Sequence, residues 1–255
     1  MPVRNEEQAL ASTIESVVGQ SVRPKQLLIL DDGSNDRSPA IAREFAAAHK
    51  WIQVVSLQDR GFDLVGEGVA RVLNAGMKVI EGIRSDYVSK LDADIVLPPE
   101  YYKRLLEEMR HDPALGLCAG HPYAYVNGKR LLEGQVSYYP SGTARLYRRS
   151  VLDAIGWFPP TVGWDTIDMV KIRTRGFRTR VFHDLLYLHA RRTGTRNGYI
   201  DGMIRDGRNA YITGYPFVVF LARALYNMRF HPHLLRTCCM LWGYGKAWAS
   251  SLRPL

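Results

Sequence analysis

The chain has 255 residues, 46% of them apolar and 23% charged, which is enough for one α/β domain with a sizeable core and too apolar for disorder. Lys and Arg exceed Asp and Glu by nine, which is read either as a solvated basic surface or as attraction to anions such as a nucleotide diphosphate or an anionic membrane. No nucleic-acid motif is present, and Cys118, Cys238 and Cys239 form neither a disulfide framework nor a zinc spacing, a pattern that fits a reducing cytosol.

In chain order, Glu6 to Val18 reads as a helix, with Leu10, Ile14, Val17 and Val18 on one face and Gly19 and Pro24 closing it. Gln26 to Leu30 is a buried strand that runs into Asp31-Asp32-Gly33-Ser34. Ser38 to Ala48 is a helix, Ile52 to Leu57 a strand, Gly68 to Glu81 a helix and Asp86 to Leu91 a strand ending in Asp92-Ala93-Asp94. Pro98 to Met109 follows as a helix. This alternation predicts a parallel, doubly wound sheet, which takes ligands at the carboxyl ends of its strands. Both acidic motifs lie at such ends.

The second half is less regular. Leu115 to Ala119 and Ala144 to Tyr147 read as strands, Arg149 to Ile155 and Thr166 to Arg175 as helices, and Arg178 to Phe182 and Leu185 to His189 as edge strands. Residues 199–255 are helical, aromatic and basic. They read as a packed extension or as a membrane-surface element. The sequence opens without a basic-then-apolar leader, and the apolar run Pro216 to Leu225 is short and broken by Arg223. A cytoplasmic location is expected, with peripheral contact at the inner face of the membrane.

Two carboxylates one residue apart at a strand end can converge on one cation. Their oxygens suit Mg²⁺ or Mn²⁺, which also take diphosphate oxygens. A solvated turn is the plainer reading of Asp92-Ala93-Asp94, but the apolar Ile95-Val96-Leu97 that follows argues against it. Asp31-Asp32 can start an Asx-turn, and the same carboxylates can accept the imide hydrogen of a uracil ring. His189 is either structural or a metal or diphosphate contact. The basic loop Arg191 to Arg196 is either solvated or a diphosphate clamp.

Several segments in order resemble the family 2 glycosyltransferases with a GT-A fold. They are Pro2-Val3-Arg4-Asn5-Glu6-Glu7, Leu30-Asp31-Asp32-Gly33-Ser34, Leu91-Asp92-Ala93-Asp94, Arg145-Leu146-Tyr147-Arg148-Arg149 and Gly163-Trp164-Asp165-Thr166-Ile167-Asp168, with His189 extending the match. The resemblance covers roughly residues 1–195 as a GT-A domain, a Rossmann-like and mostly parallel sheet flanked by helices, with 196–255 as a helical C-terminal extension. It implies that Pro2, Arg4, Asn5 and Glu6 line the base and ribose pocket, and that Asp31 binds the base while Asp32 supports the turn or the ribose. Asp92 would lie toward the donor sugar with Arg192 on the diphosphate, and Asp94, Asp92 and His189 at a divalent Mn²⁺ or Mg²⁺.

The resemblance also implies a general base at Asp168, with Asp165 as the competing candidate; Ile167 stands where the family usually has Glu. Physically, the attacking alcohol must give its proton to a carboxylate within hydrogen-bond reach. The implied reaction is inverting transfer of one sugar from a nucleoside diphosphate sugar to a glycan or lipid-linked acceptor. No Gln-x-x-Arg-Trp motif of processive synthases is present. The alternatives are a catalytically impaired relative that binds a nucleotide or a membrane, and a nucleotidyltransferase. Relatives carry a hydrophobic strand ahead of the Pro-x-x-Asn-Glu segment, whereas this sequence opens on Met1-Pro2; the expectation is a domain lacking its first, central strand.

Overall fold

The computed structural model describes residues 1–59, 66–126, 128–133, 136–191, 199–229 and 233–250. The chain forms two compact units, Met1–Ala190 and Arg191–Leu255. In the first, β1 (Pro2–Val3), α1 (Leu10–Val18), β2 (Leu27–Asp31), α2 (Ser38–Ala48), β3 (Ile52–Ser56) and α3 (Glu67–Val79) alternate as the periodicity predicts. Then come β4 (Tyr87–Leu91), β5 (Ile95–Val96), α4 (Tyr101–His111), β6 (Leu115–Val126), β7 (Lys129–Leu132), β8 (Ala144–Arg148), α5 (Arg149–Ala154), α6 (Trp164–Thr174) and β9 (Arg178–His189).

The strands form two sheets. One is parallel, in the order β1-β2-β3. The other is mixed, in the order β4-β8-β6-β9-β5 with β7 beside β6; only its β6–β9 pairing is parallel. The parallel alternation therefore holds for the first three strands, and hairpin-like returns take over afterwards. The two segments read as edge strands are one continuous β9, which lies between β6 and β5. Its irregularity near Gly120/His121 absorbs the polar His183-Asp184 that broke the apolar pattern. Helix α1 starts at Leu10 instead of Glu6, because the Glu6 and Glu7 amides donate to Ser38 Oγ (2.8 Å) and Asp36 Oδ2 (3.0 Å). The main core joins Leu10, Ile14, Ile29, Leu91, Ile95, Leu105 and Tyr187.

Strand β1 covers only the end of β2, pairing Pro2 with Leu30 and Val3 with Asp31. A cavity of about 310 Å³ is lined by Met1, Leu28, Leu30, Met77, Tyr87 and Leu146. It thus takes walls from β2 and from β4, strands of two different sheets. About four apolar residues fused ahead of Met1 would extend β1 along β2 into this space. Each side chain buried there contributes about 1.5–3 kcal/mol against an ordering cost of about 1–2 kcal/mol per residue. The expected outcome is a higher melting temperature by scanning calorimetry, about 2–4 °C for each kcal/mol gained; an unchanged Tm would count against the cavity as a strand seat.

The second unit contains α7 (Tyr199–Ile212), α8 (Phe217–Tyr226) and α9 (His233–Ala249). Helices α7 and α9 meet backbone to backbone: a Cβ on Gly207 would overlap the Met240 carbonyl, and one on Gly243 the Ile204 carbonyl. A small core of Ala210, Phe220, Ala224 and Met240 lies beside this crossing, with Tyr244 stacked on Phe220 at 4.3 Å between ring centroids. No helix among the described residues is long and apolar enough to cross a membrane.

Candidate active site

The turns after β1 and β2 are stitched to each other. Asn5 adopts φ 53°, a left-handed turn conformation that Asn tolerates. Its amide donates to Ser34 Oγ (3.1 Å), and its Oδ1 accepts from the Asn35 amide (2.9 Å). Asp31 closes the predicted Asx-turn, accepting from the Ser34 amide at 3.0 Å. Arg4 donates to the Asp32 carbonyl and, at 3.1 Å, to Asp59. Pro2, Arg4, Asn5, Glu6, Asp31 and Asp32 are thus brought together. Gly33 is held at φ 71° against Asp59, where a Cβ would clash.

The Asp92-Ala93-Asp94 turn leaves β4 and is fixed from three sides. Thr13 Oγ1 of α1 donates to the Ala93 carbonyl (2.8 Å), the Asp92 amide to the Thr143 carbonyl (2.8 Å), and the Ala190 amide to the Asp94 carbonyl (2.9 Å). The Asp92 carboxylate takes a charge-assisted bond from the buried Lys90 ammonium at 2.5 Å. Burial pushes the Asp92 carboxyl above its usual range, and Lys90 opposes that. Lys90 is two residues before Asp92 on the same strand face. It also donates to the Gly142 carbonyl.

His189 is set beside this turn by the Ile95–His189 pairing of β5 and β9. Its Nε2 lies 3.6 Å from Asp94 Oδ2, and its Nδ1 is 2.9 Å from Glu133 Oε1. Burial disfavours the imidazolium, but the bonds to Asp94 and Glu133 win and raise its pKa to about 9. This donor set fits a hard divalent cation in part. Asp94 and His189 can reach one ion, and Glu133 on the far nitrogen would fix the imidazole tautomer. Asp92 is engaged by Lys90. Among the described residues no group of three His, Cys, Asp or Glu side chains is arranged to hold a metal, so the remaining ligands would be phosphate oxygens and water. Arg192 lies outside the described residues.

The two base candidates differ sharply. Asp168, on the inner face of α6, is fully buried. Both its oxygens face Arg145 Nη1, at 2.8 and 2.9 Å, and Oδ2 also accepts from the Tyr147 hydroxyl at 2.6 Å. Burial pushes its carboxyl up, against the pull of the Arg145 guanidinium. Asp168 is therefore held inside the domain by a buried ion pair and a tyrosine hydroxyl. Asp165, three residues earlier, is half-buried, with Oδ2 3.5 Å from the Tyr139 hydroxyl. Burial, and then Asp165 itself, pushes that phenol up to about 12. A Cβ on Gly142 would sit 3.0 Å from Asp165 Oδ2. The 140–143 loop therefore touches Asp165 while its Gly142 and Thr143 carbonyls hold Lys90 and Asp92. Trp164 joins the same two sides, with Lys90 Nζ 5.4 Å and the Arg145 guanidinium 5.7 Å from its ring.

Lys90, Tyr139 and Glu133, which contact the candidate residues Asp92, Asp165 and His189, were not flagged by the motifs. Lys90 was readable from its spacing to Asp92; Glu133 and Tyr139 lie in irregular segments and carried no signal.

A model described as Glycosyl transferase family 2 matches residues 1–156. Poly-beta-1,6-N-acetyl-D-glucosamine synthase of Staphylococcus aureus (strain COL) is 27% identical over 204 residues, covering 69% of this chain and 45% of that protein. The Staphylococcus epidermidis protein of the same name is 28% identical over 186 residues, covering 65% and 41%. This chain thus spans under half the length of these curated relatives. Among solved structures, the mannosyltransferase PcManGT from Pyrobaculum calidifontis, in complex with GDP-Man and Mn2+, superposes with a TM-score of 0.63 at 18% identity, over 98% of this chain and 72% of its own. S. aureus TarS 1-349 in complex with UDP-GlcNAc superposes with a TM-score of 0.60 at 16% identity, over 90% and 71%. The fold is that of the GT-A glycosyltransferases, and with a family match over more than half its length the chain belongs to glycosyl transferase family 2.

Proposed function

We propose that the chain carries out inverting transfer of one sugar from a nucleoside diphosphate sugar to an alcohol on a glycan or lipid-linked acceptor, with Asp165 as general base in place of Asp168. The observation that carries this reading is the 140–143 loop, which sets a half-exposed carboxylate next to the acidic turn at the end of β4. The stitched loops at Arg4–Glu6 and Asp31–Ser34 supply a polar cradle for the base and ribose. Lys90 neutralises Asp92 and leaves it able to accept from a ribose or sugar hydroxyl. Asp94 and His189 would hold a Mn²⁺ or Mg²⁺, which supplies neutralisation of the charge on the departing diphosphate. Asp165 takes the proton of the attacking hydroxyl. Tyr139, hydrogen-bonded to Thr166 Oγ1 at 2.8 Å, keeps its proton and borders that carboxylate.

GDP-mannose and UDP-GlcNAc are the donors to try first, since the structurally similar proteins bind them. The test is release of nucleoside diphosphate from each, with Mn²⁺ present and after chelation. Metal-dependent release of GDP or UDP supports the reading; release of pyrophosphate would redirect it to nucleotidyl transfer. Asp94→Ala is expected to weaken Mn²⁺-dependent donor binding by about tenfold or more in a calorimetric titration, by analogy with loss of a metal-site contact. Undiminished affinity would remove Asp94 from the site. Donor binding with no turnover by the parent chain would favour a non-catalytic relative.

A further inference from the structure

The net charge of the chain is concentrated in its C-terminal unit. Residues 191–255 hold ten Lys and Arg against two Asp and Glu, whereas residues 1–190 hold twenty-four against twenty-three. The described helices of that unit also carry apolar stripes beyond those used for packing. On α9, Leu234, Leu235, Cys238 and Trp242 recur at helical spacing and are all exposed, Leu234 by 64% and Trp242 by 65%. Trp248 continues the stripe at 71% exposure. No charged residue occurs from Thr237 through Gly245, and Lys246 follows one turn after Trp242. On α8, Val218, Val219, Leu225 and Tyr226 are exposed, with the exposed Arg223 at their flank. The opposite faces are already occupied: Phe220, Ala224 and Met240 form the unit's core, and Gly207 and Gly243 close the crossing of α7 and α9.

We propose that the exposed stripes of α8 and α9 dock this unit on an anionic bilayer surface, the helices lying in the interface without crossing it. The chemistry favours lipid over other anions. Leucine and tryptophan side chains aligned on one helix face enter the headgroup–acyl boundary, and cations at the rim pair with acidic headgroups. A polyanion such as nucleic acid has no use for a stripe free of charge nine residues long. A basic unit joined to a near-neutral one places the attraction where the apolar faces are. The inference is independent of the donor site.

The test is flotation of the full chain with phosphatidylglycerol-rich vesicles and with pure phosphatidylcholine vesicles, together with tryptophan emission. Partitioning at least roughly tenfold tighter to the anionic vesicles is expected, given several basic groups near the surface, with a blue-shifted emission. Leu235→Glu combined with Trp242→Glu should abolish flotation and leave the melting temperature unchanged, because both side chains are exposed. Equal partitioning to both vesicle types, or flotation retained in the double variant, would overturn the proposal. So would a dimer seen by light scattering that the double variant converts to monomer, since the stripe would then be covered by a second copy.

Discussion

Asp165→Asn is expected to lower the rate of sugar transfer by about 10²–10⁴-fold, the usual contribution of a positioned general base, while donor affinity and melting temperature stay at their parent values. Asn keeps the shape and the hydrogen bond to Tyr139 but cannot accept the proton. The side chain is half-buried and is not part of the Arg145 ion pair, so little stability depends on its charge. Single-turnover transfer to acceptor, followed as sugar incorporation, is the measurement. A variant that transfers at the parent rate would take the base role away from Asp165.

The matching change at the neighbouring carboxylate should act on folding. Asp168→Ala would leave the Arg145 guanidinium buried and without its counter-ion, beside a Tyr147 hydroxyl that has lost its acceptor. Breaking a buried pair on one side costs about 3–5 kcal/mol, which corresponds to a fall in Tm of roughly 10 °C or more for a domain of this size. Urea unfolding should show a reduced midpoint. Arg145 does not depend on Asp168 alone: it also donates to the carbonyls of Pro140, Ser141 and Asp165. Arg145→Met should therefore loosen the whole 140–143 loop and depress both stability and turnover. If Asp168→Ala folds with parent stability and has lost only turnover, the division of labour between the two carboxylates is reversed.

Why one aspartate was separable from the other only in three dimensions follows from helix geometry. Asp165 and Asp168 are three residues apart on α6 and point to neighbouring faces, so motif matching, which puts Asp168 first, cannot tell which of the two is engaged inside the domain. What separates them is Arg145, twenty and twenty-three positions away on β8, which captures one carboxylate and reaches only the backbone of the other. The acidic turns were legible for the opposite reason. Asp31-Asp32 and Asp92-Ala93-Asp94 end apolar strands, and in an open α/β sheet that position is itself a prediction of ligand contact. The parallel half of the fold was readable from the same strand–helix alternation. The mixed half was not. A long strand such as β6, buried along most of its length, gives no alternation, and Leu115–Val126 reads from sequence only as far as its first residues. The hairpin strand Lys129–Leu132 is exposed throughout, and its polar start carries no strand signal. His189 was findable as a strand-end histidine, but its partner Glu133 comes from an irregular segment whose position depends on the whole sheet.

The crossing of α7 and α9 sets unequal mutational freedom on the two sides of one helix. At Gly207 and Gly243 main chain rests on main chain, so every other amino acid is shut out of both places and the pair would wedge apart on gaining a single methyl group. The outer side of α9 faces no such constraint from folding; there the choice of residue is left to whatever the helix lies against. Substitutions that the fold ignores and a bound surface does not should therefore gather on that outer side.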